Sequence, residues 1–313
     1  MKFRTLLALL LAFALIAAAC GGDDDDTTAT GDPADAPADE PADEPADDGE
    51  TDDDGSADAP LDCAAPPVVT DGQLTVATGE TVFPPWMGAG DDDFDDPSTG
   101  TGYEGALVFA LADQLGFDTV EFVRTGFDEV IAPGDKDWDF NIQQYSITPE
   151  RDEVVDFSNG YYQVEQAIIG AADSPAASAT SIADLQGLRL GAAIGTTSLD
   201  YIDQVIQPDN AAQVYDDNAA AKAAFDAGQV DGIVFDLPTA YFITAVEITD
   251  ASIIGVLPRT GDAPEELGML FEDGNPFRDC VNDALAALEA DGTLAALEDQ
   301  WLNQGGGIPT LAG

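Results

Sequence analysis

The chain has 313 residues, of which 62 are acidic, 9 are basic and none is histidine, for a formal net charge of −53 at pH 7. The absence of histidine removes most general-base mechanisms and most zinc sites, and neither a cofactor nor a metal is expected. So acidic a chain is a poor ligand for nucleic acid or anionic lipid.

Residues 1–19, MKFRTLLALLLAFALIAAA, place two bases ahead of a short apolar run and a set of small residues. That is the pattern of a secretory signal peptide, too short for a membrane span. Cys20 follows Ala17-Ala18-Ala19, which resembles the bacterial lipobox, so Cys20 is the expected lipidation site. From Cys20 to Asp62 the chain is mostly Asp, Ala, Pro, Thr, Glu and Gly, with the repeat PADAPADEPADEPADD. Such a segment cannot build a core and reads as a disordered acidic tether. Lipid and tether together predict an extracytoplasmic protein anchored to the outer face of the cell membrane.

The body starts at Cys63. QLTVAT (73–78) alternates like a strand, and ALVFALADQLG (106–116) has helical spacing and a terminal glycine. DTVEFVR (118–124) reads as a strand, FDEVIAPG (127–134) as a short helix and WDFNIQQYS (138–146) as a strand. A short helix is expected to begin at Arg151. The pattern then restarts, with strands at 188–194, 212–216, 231–236 and 252–257 and helices at 197–206, 218–228 and 237–247. Alternating β and α elements imply parallel sheets with covering helices. Residues 266–272 lead back to two closing helices, 276–290 and 293–303. Cys63 and Cys280 are an even pair in an exported chain, which suggests a disulfide, with two buried thiols as the alternative. A bond would bring the closing helices to the first lobe. Lobe one is then 63–168 plus 265–313 and lobe two is 169–264, with strands crossing near 163–170 and 263–270. A cleft forms between them, and ligands of open α/β sheets bind beyond the carboxyl ends of the strands.

Four strand-to-helix junctions are therefore the candidate site: 79-GETVFPPWMG-88, 144-QYSITPER-151, 194-IGTTSLD-200 and 235-FDLPTAYF-242. Thr196, Thr197 and Ser198 at a helix start suit an anion, and an N-cap accounts for one of them. Asp236 is either an N-cap or a ligand group. Phe83 and Trp86 are core or an aromatic wall. Arg151 can fork onto a carboxylate, or pair with Asp152 or Glu153.

The phrases TGYEGALVFALADQLGF, SITPERDEVVDFSNGYY, SIADLQGLRLGAAIGTTSLDYI, AAFDAGQVDGIVFDLPTAY and ALAALEADGTLAALEDQWL run in order over about 72–303. Together they resemble the extracellular solute-binding proteins of family 3, the polar amino acid ABC-transporter type. The resemblance implies a type II periplasmic-binding-protein-like fold, two α/β lobes joined by two crossing strands. It implies a monomer that is not an enzyme and that delivers a polar amino acid to an ABC transporter permease. A sensory module and a dehydratase-like enzyme on the same fold are the alternatives. By resemblance, Arg151 holds the ligand α-carboxylate with Ser146 and Thr197, and Asp236 takes the α-amino group. Phe83 packs on the ligand, and Glu80, Phe127, Gln144 and Ser198 shape the side-chain pocket. Gln144 and the acidic insertion 91-DDDFDDPSTG-100 depart from the family pattern and leave the ligand's side chain open.

Overall fold

The computed structural model describes residues 62–88, 94–302 and 306–313, all within one unit, Ser56–Gly313. The signal peptide, Cys20 and nearly all of the tether lie outside the described residues.

In the first lobe, β1 (Leu74–Gly79) is buried along its whole length. Helix α1 (Tyr103–Leu115) starts after Gly102, whose φ is 83°, and a Cβ there would stand 2.4 Å from the Trp86 carbonyl oxygen. Only glycine fits that approach. Gly116, in the left-handed region, closes the helix. β2 (Val120–Thr125), β3 (Phe140–Asn141), β4 (Asp156–Phe157) and β5 (Tyr162–Val164) follow. The second lobe holds β6 (Gln166–Ala171), β7 (Leu190–Ala193), α2 (Thr197–Tyr201), β8 (Gln213–Tyr215) and α3 (Asn218–Asp226). It is completed by β9 (Gly232–Asp236), α4 (Leu237–Phe242) and β10 (Ala251–Val256). Helices α2 and α4 each run on into a π-helical turn, Ile202–Ile206 and Ile243–Glu247. β11 (Glu265–Leu267), β12 (Leu270–Phe271), α5 (Phe277–Ala290) and α6 (Thr293–Trp301) then return to the first lobe.

Each lobe is built on a five-stranded sheet, β2-β1-β3-β12-β4 in the first and β10-β6-β9-β7-β8 in the second. Both sheets are mixed, where the alternation of elements implied parallel ones. β1, β2 and β3 run parallel, but β12 is antiparallel to β3 and β4. β6 is antiparallel to β9 and β10. The reason is the crossing: β6 and β12 each enter a sheet straight from the other lobe, with no helical crossover to keep them parallel. The crossing strands β5 and β11 pair antiparallel, with Glu265 opposite Val164 and Leu267 opposite Tyr162.

Three local expectations change. The 127–134 segment holds only one 3-10 turn, Glu129–Ile131. The strand expected over 138–146 is confined to Phe140–Asn141. The segment from Arg151 is a pair of turns, with Val154 and Val155 N–H both donating to the Arg151 carbonyl, rather than a short helix.

The first lobe's core joins β1 and α1 to α5, with Trp86, Tyr103, Phe140, Phe271 and Phe277 fully buried. Each such burial contributes about 1.5–3 kcal/mol. Cys63 and Cys280 form a disulfide with Cα atoms 5.5 Å apart, which fixes the start of the body to α5. The last residues depart from the assignment of 265–313 to lobe one. Leu311 is buried in the second lobe's core, with its N–H donating to the Val256 carbonyl while Val256 N–H donates to the Pro309 carbonyl. The bare edge of β10 and a pocket for Leu311 draw the tail there.

Candidate functional site

A cavity of about 390 Å³ opens between the lobes, a size that suits a small molecule. Its walls come from the carboxyl ends of β1, β3, β7 and β9. All ten residues expected there line it: Glu80, Phe83, Phe127, Gln144, Ser146, Arg151, Thr196, Thr197, Ser198 and Asp236.

Arg151 is 8 % exposed. One guanidinium nitrogen donates to the Ser146 carbonyl at 2.6 Å, and the other to the Gly195 carbonyl at 2.8 Å. The group lies 5.6 Å from the centre of the Phe127 ring, which itself stacks on Tyr145 at 4.6 Å. Among the described residues it forms no ion pair within 4 Å, neither with Asp152 nor with Glu153. Burial pulls its pKa down, while Tyr145, Glu265, Asp200 and Asp236 pull it up. A guanidinium held by carbonyl oxygens alone keeps its charge unneutralised, which makes it a strong receptor for an anion.

Asp236 stands at the first position before α4, but its side chain does not cap the helix. Its Oδ1 accepts from Gln166 Nε2 at 2.7 Å. Burial, and after it the charge of Glu265, push its pKa up to about 7, against the pull of the Gln166 hydrogen bond.

The three hydroxyls before and within α2 each have an internal partner. Thr196 caps, accepting from Leu199 N–H at 3.2 Å and donating to the Ala193 carbonyl at 2.7 Å. Thr197 donates to Glu265 at 2.7 Å, and Ser198 to Gln166 Oε1 at 2.5 Å. Ser146 also donates to Glu265, at 2.5 Å.

Phe83 is an aromatic wall, in edge contact with Phe242 at 5.6 Å and Phe94 at 6.2 Å, with Lys222 over its ring. Phe94 belongs to the acidic insertion. Arg124 holds that insertion by its ion pair with Asp95 at 3.2 Å and by a bond to the Asp95 carbonyl at 2.7 Å. Trp86 is core, but its indole N–H reaches across to Thr239 Oγ1 at 2.9 Å.

Several site residues gave no sequence signal of their role. Glu104 is fully buried and accepts from Tyr161 O–H, the Gln144 N–H and the Gln144 side-chain amide. Burial raises its pKa to about 7. It fixes Gln144, whose backbone is left-handed at φ 53°. A glutamate in the first turn of an otherwise apolar helix is the signal that could have found it. Gln166 and Glu265, on the crossing segments, are the others. Asp128, Glu129, Asp216 and Asp217 also line the cavity and, with Glu80, are exposed, so they stand at its mouth.

The bacterial extracellular solute-binding proteins, family 3, match over residues 74–304. The chain is similar to the L-cystine-binding protein TcyJ of Escherichia coli K12, 30% identical over 227 residues, 71% of this chain and 80% of that one. It is equally similar to ABC transporter arginine-binding protein 1 of the same organism, 30% over 215 residues, 65% and 82% of the two chains. Among solved structures it resembles an ancestral arginine-binding protein bound to arginine, with a TM-score of 0.63, 28% identity and coverage of 74% and 99%. It also resembles the ancestral amino acid-binding protein AncCDT-1, a precursor of cyclohexadienyl dehydratase, with a TM-score of 0.64, 28% identity and coverage of 74% and 96%. The mixed two-lobed α/β fold and the matched span agree: the chain belongs to the bacterial extracellular solute-binding proteins, family 3.

Proposed function

We propose that this protein is the substrate-binding component of an ABC importer and captures an α-amino acid between its lobes. The observation that carries this reading is Arg151: buried, charged and without an acid partner among the described residues, it faces the same cavity as Asp236. A zwitterion supplies the missing anion to Arg151 and a cation to Asp236. A buried polar group left unmatched costs more than the matched pair gains, so the pair selects for both charges together. The relatives that bind cystine and arginine support the class.

The mouth favours a cationic side chain. Glu80, Asp128, Glu129, Asp216 and Asp217 line it, and Arg151 is the cavity's only base among the described lining residues. Arginine or lysine is the reading this supports. Delivery to a permease by a monomer, with a lipid on Cys20 as the anchor, completes the proposal. Cys20→Ser should release the protein from membranes on fractionation, and unchanged fractionation would remove the anchor.

The functional test is a thermal-shift screen of the protein against the twenty amino acids, polyamines and organic acids. Ligand at a hundred times its dissociation constant adds about 2.7 kcal/mol of stability. A shift confined to α-amino acids supports the reading. A shift only with a dicarboxylate or a cyclic acid would overturn it.

A further inference from the structure

Glu265 lies on β11, one of the two crossing strands, and is not among the residues that line the cavity. One of its oxygens, Oε1, accepts from two hydroxyls: Ser146 Oγ at 2.5 Å and Thr197 Oγ1 at 2.7 Å. Ser146 belongs to the first lobe, and Thr197 opens α2 of the second. The two hydroxyl oxygens are 3.3 Å apart. The Gln166 amide adds longer contacts to the same carboxylate at 3.4 and 3.5 Å.

Hydrogen bonds to a charged acceptor are stronger than neutral ones. Opening two lobes about crossing strands moves Ser146 away from Thr197, and a single oxygen cannot follow both. Each hydroxyl has one proton, and that proton is directed at Glu265. The paired hydrogen bonds therefore exist only with the lobes closed, and all their partners belong to the chain itself.

We infer that Glu265 is an interlobe latch, a positioning residue that stabilises the closed form of the protein from the hinge side. Arg151 and Trp86 also bridge the lobes, to Gly195 and Thr239, but both line the cavity, so changing them alters ligand contacts as well. Glu265 does not line the cavity, so its effect on ligand runs through closure and through the charge it places near Asp236, which is common to all α-amino acids. Apparent affinity scales with the fraction of closed protein, so the latch strengthens every ligand by the same factor. The affinity half of this inference rests on the proposed function; the closure half does not.

The test is hydrogen exchange of the full chain without ligand, read on peptides covering 83–87 and 237–242. These meet at the Phe83–Phe242 contact, to which Glu265 makes no hydrogen bond. Glu265→Ala should speed exchange there, and Glu265→Gln, whose amide oxygen can still accept both hydroxyls, should restore most of the protection. In titrations with L-arginine and L-lysine, Glu265→Ala should weaken whichever binds, both by the same factor of about ten or more if both do, the worth of one charged hydrogen bond. Should Glu265→Ala fail to fold, Thr197→Val removes one arm of the latch and must speed the same exchange. Unchanged exchange at 83–87 and 237–242 in a folded variant would overturn the latch. So would a loss of affinity for one ligand and not the other, because it would mean direct contact. If neither amino acid binds the wild type, the functional reading fails, and the ligand-free exchange still decides the latch.

Discussion

Gln166 donates its amide N–H to Asp236 at 2.7 Å, yet the Asp236 pKa stands at about 7 because burial and the nearby Glu265 outweigh that bond. Burial thus keeps the carboxyl protonated to a higher pH than an ordinary aspartate. A ligand ammonium favours the ionised form. Binding should release protons near pH 7, and affinity should fall as pH drops below 7. Calorimetry in two buffers of different ionisation enthalpy measures the release. Equal heats in both buffers would remove Asp236 from the ammonium site.

The same shift has a sign for stability. The folded Asp236 keeps its proton to higher pH than the unfolded chain, where the pKa is near 3.8. Its contribution thus favours the fold at low pH and is lost as pH rises from about 4 through 7. Asp236→Asn should melt higher than wild type at pH 8 without ligand, and should approach it at pH 4. A lower melting point at pH 8 would contradict the burial account.

Arg151→Ala should abolish amino acid binding, a loss of about 2–5 kcal/mol or more. Arg151→Lys should fail to restore it, because an ammonium cannot fork onto a carboxylate while also reaching the Ser146 and Gly195 carbonyls. Titration calorimetry checks both. Wild-type affinity in either variant would take Arg151 out of the site.

The junctions after β1, β3, β7 and β9 were legible because an α/β sheet places its ligand groups there, and because one arginine stands out in so acidic a chain. The uses of the hydroxyls were not. Thr196, Thr197 and Ser198 read as one anion site, yet Thr196 donates back to the Ala193 carbonyl three residues before it, and Thr197 and Ser198 donate to groups that sequence does not bring near, Glu265 and Gln166. Glu265 sits in an acid-rich stretch of an acid-rich chain, so nothing marks it off from its solvated neighbours. Asp217 caps α3, accepting from Ala220 N–H, while also lining the cavity, a double use that sequence does not show. The sheets' mixed direction follows from the crossing strands, which the alternation of elements does not record.

Trp86→Phe should weaken ligand binding by about 1–3 kcal/mol, since it leaves the buried Thr239 hydroxyl without its donor across the cleft. The wild-type tryptophan emission should also shift when ligand is added, and that shift should shrink in the variant. Unaltered affinity would mean that the Trp86–Thr239 bond does not contribute to closure.

Reducing the Cys63–Cys280 bond, which spans 217 residues of sequence, should cost about 2–5 kcal/mol of stability. Thermal melts with and without a phosphine reductant give the value. Because Cys280 lies on α5, away from the cavity lining, affinity should change little under conditions where the reduced protein stays folded. A large loss of affinity in folded, reduced protein would tie α5 to the site.

The most direct measurement is a calorimetric comparison around whichever α-amino acid stabilises the protein most. The parent is titrated beside the same molecule without its α-carboxylate and the same molecule with its α-amino group acetylated. If Arg151 and Asp236 grip the two ends of a zwitterion, both analogues should lose at least a hundredfold in affinity. If either analogue binds as tightly as the parent, the pairing of Arg151 with Asp236 across the cleft is not what holds the ligand.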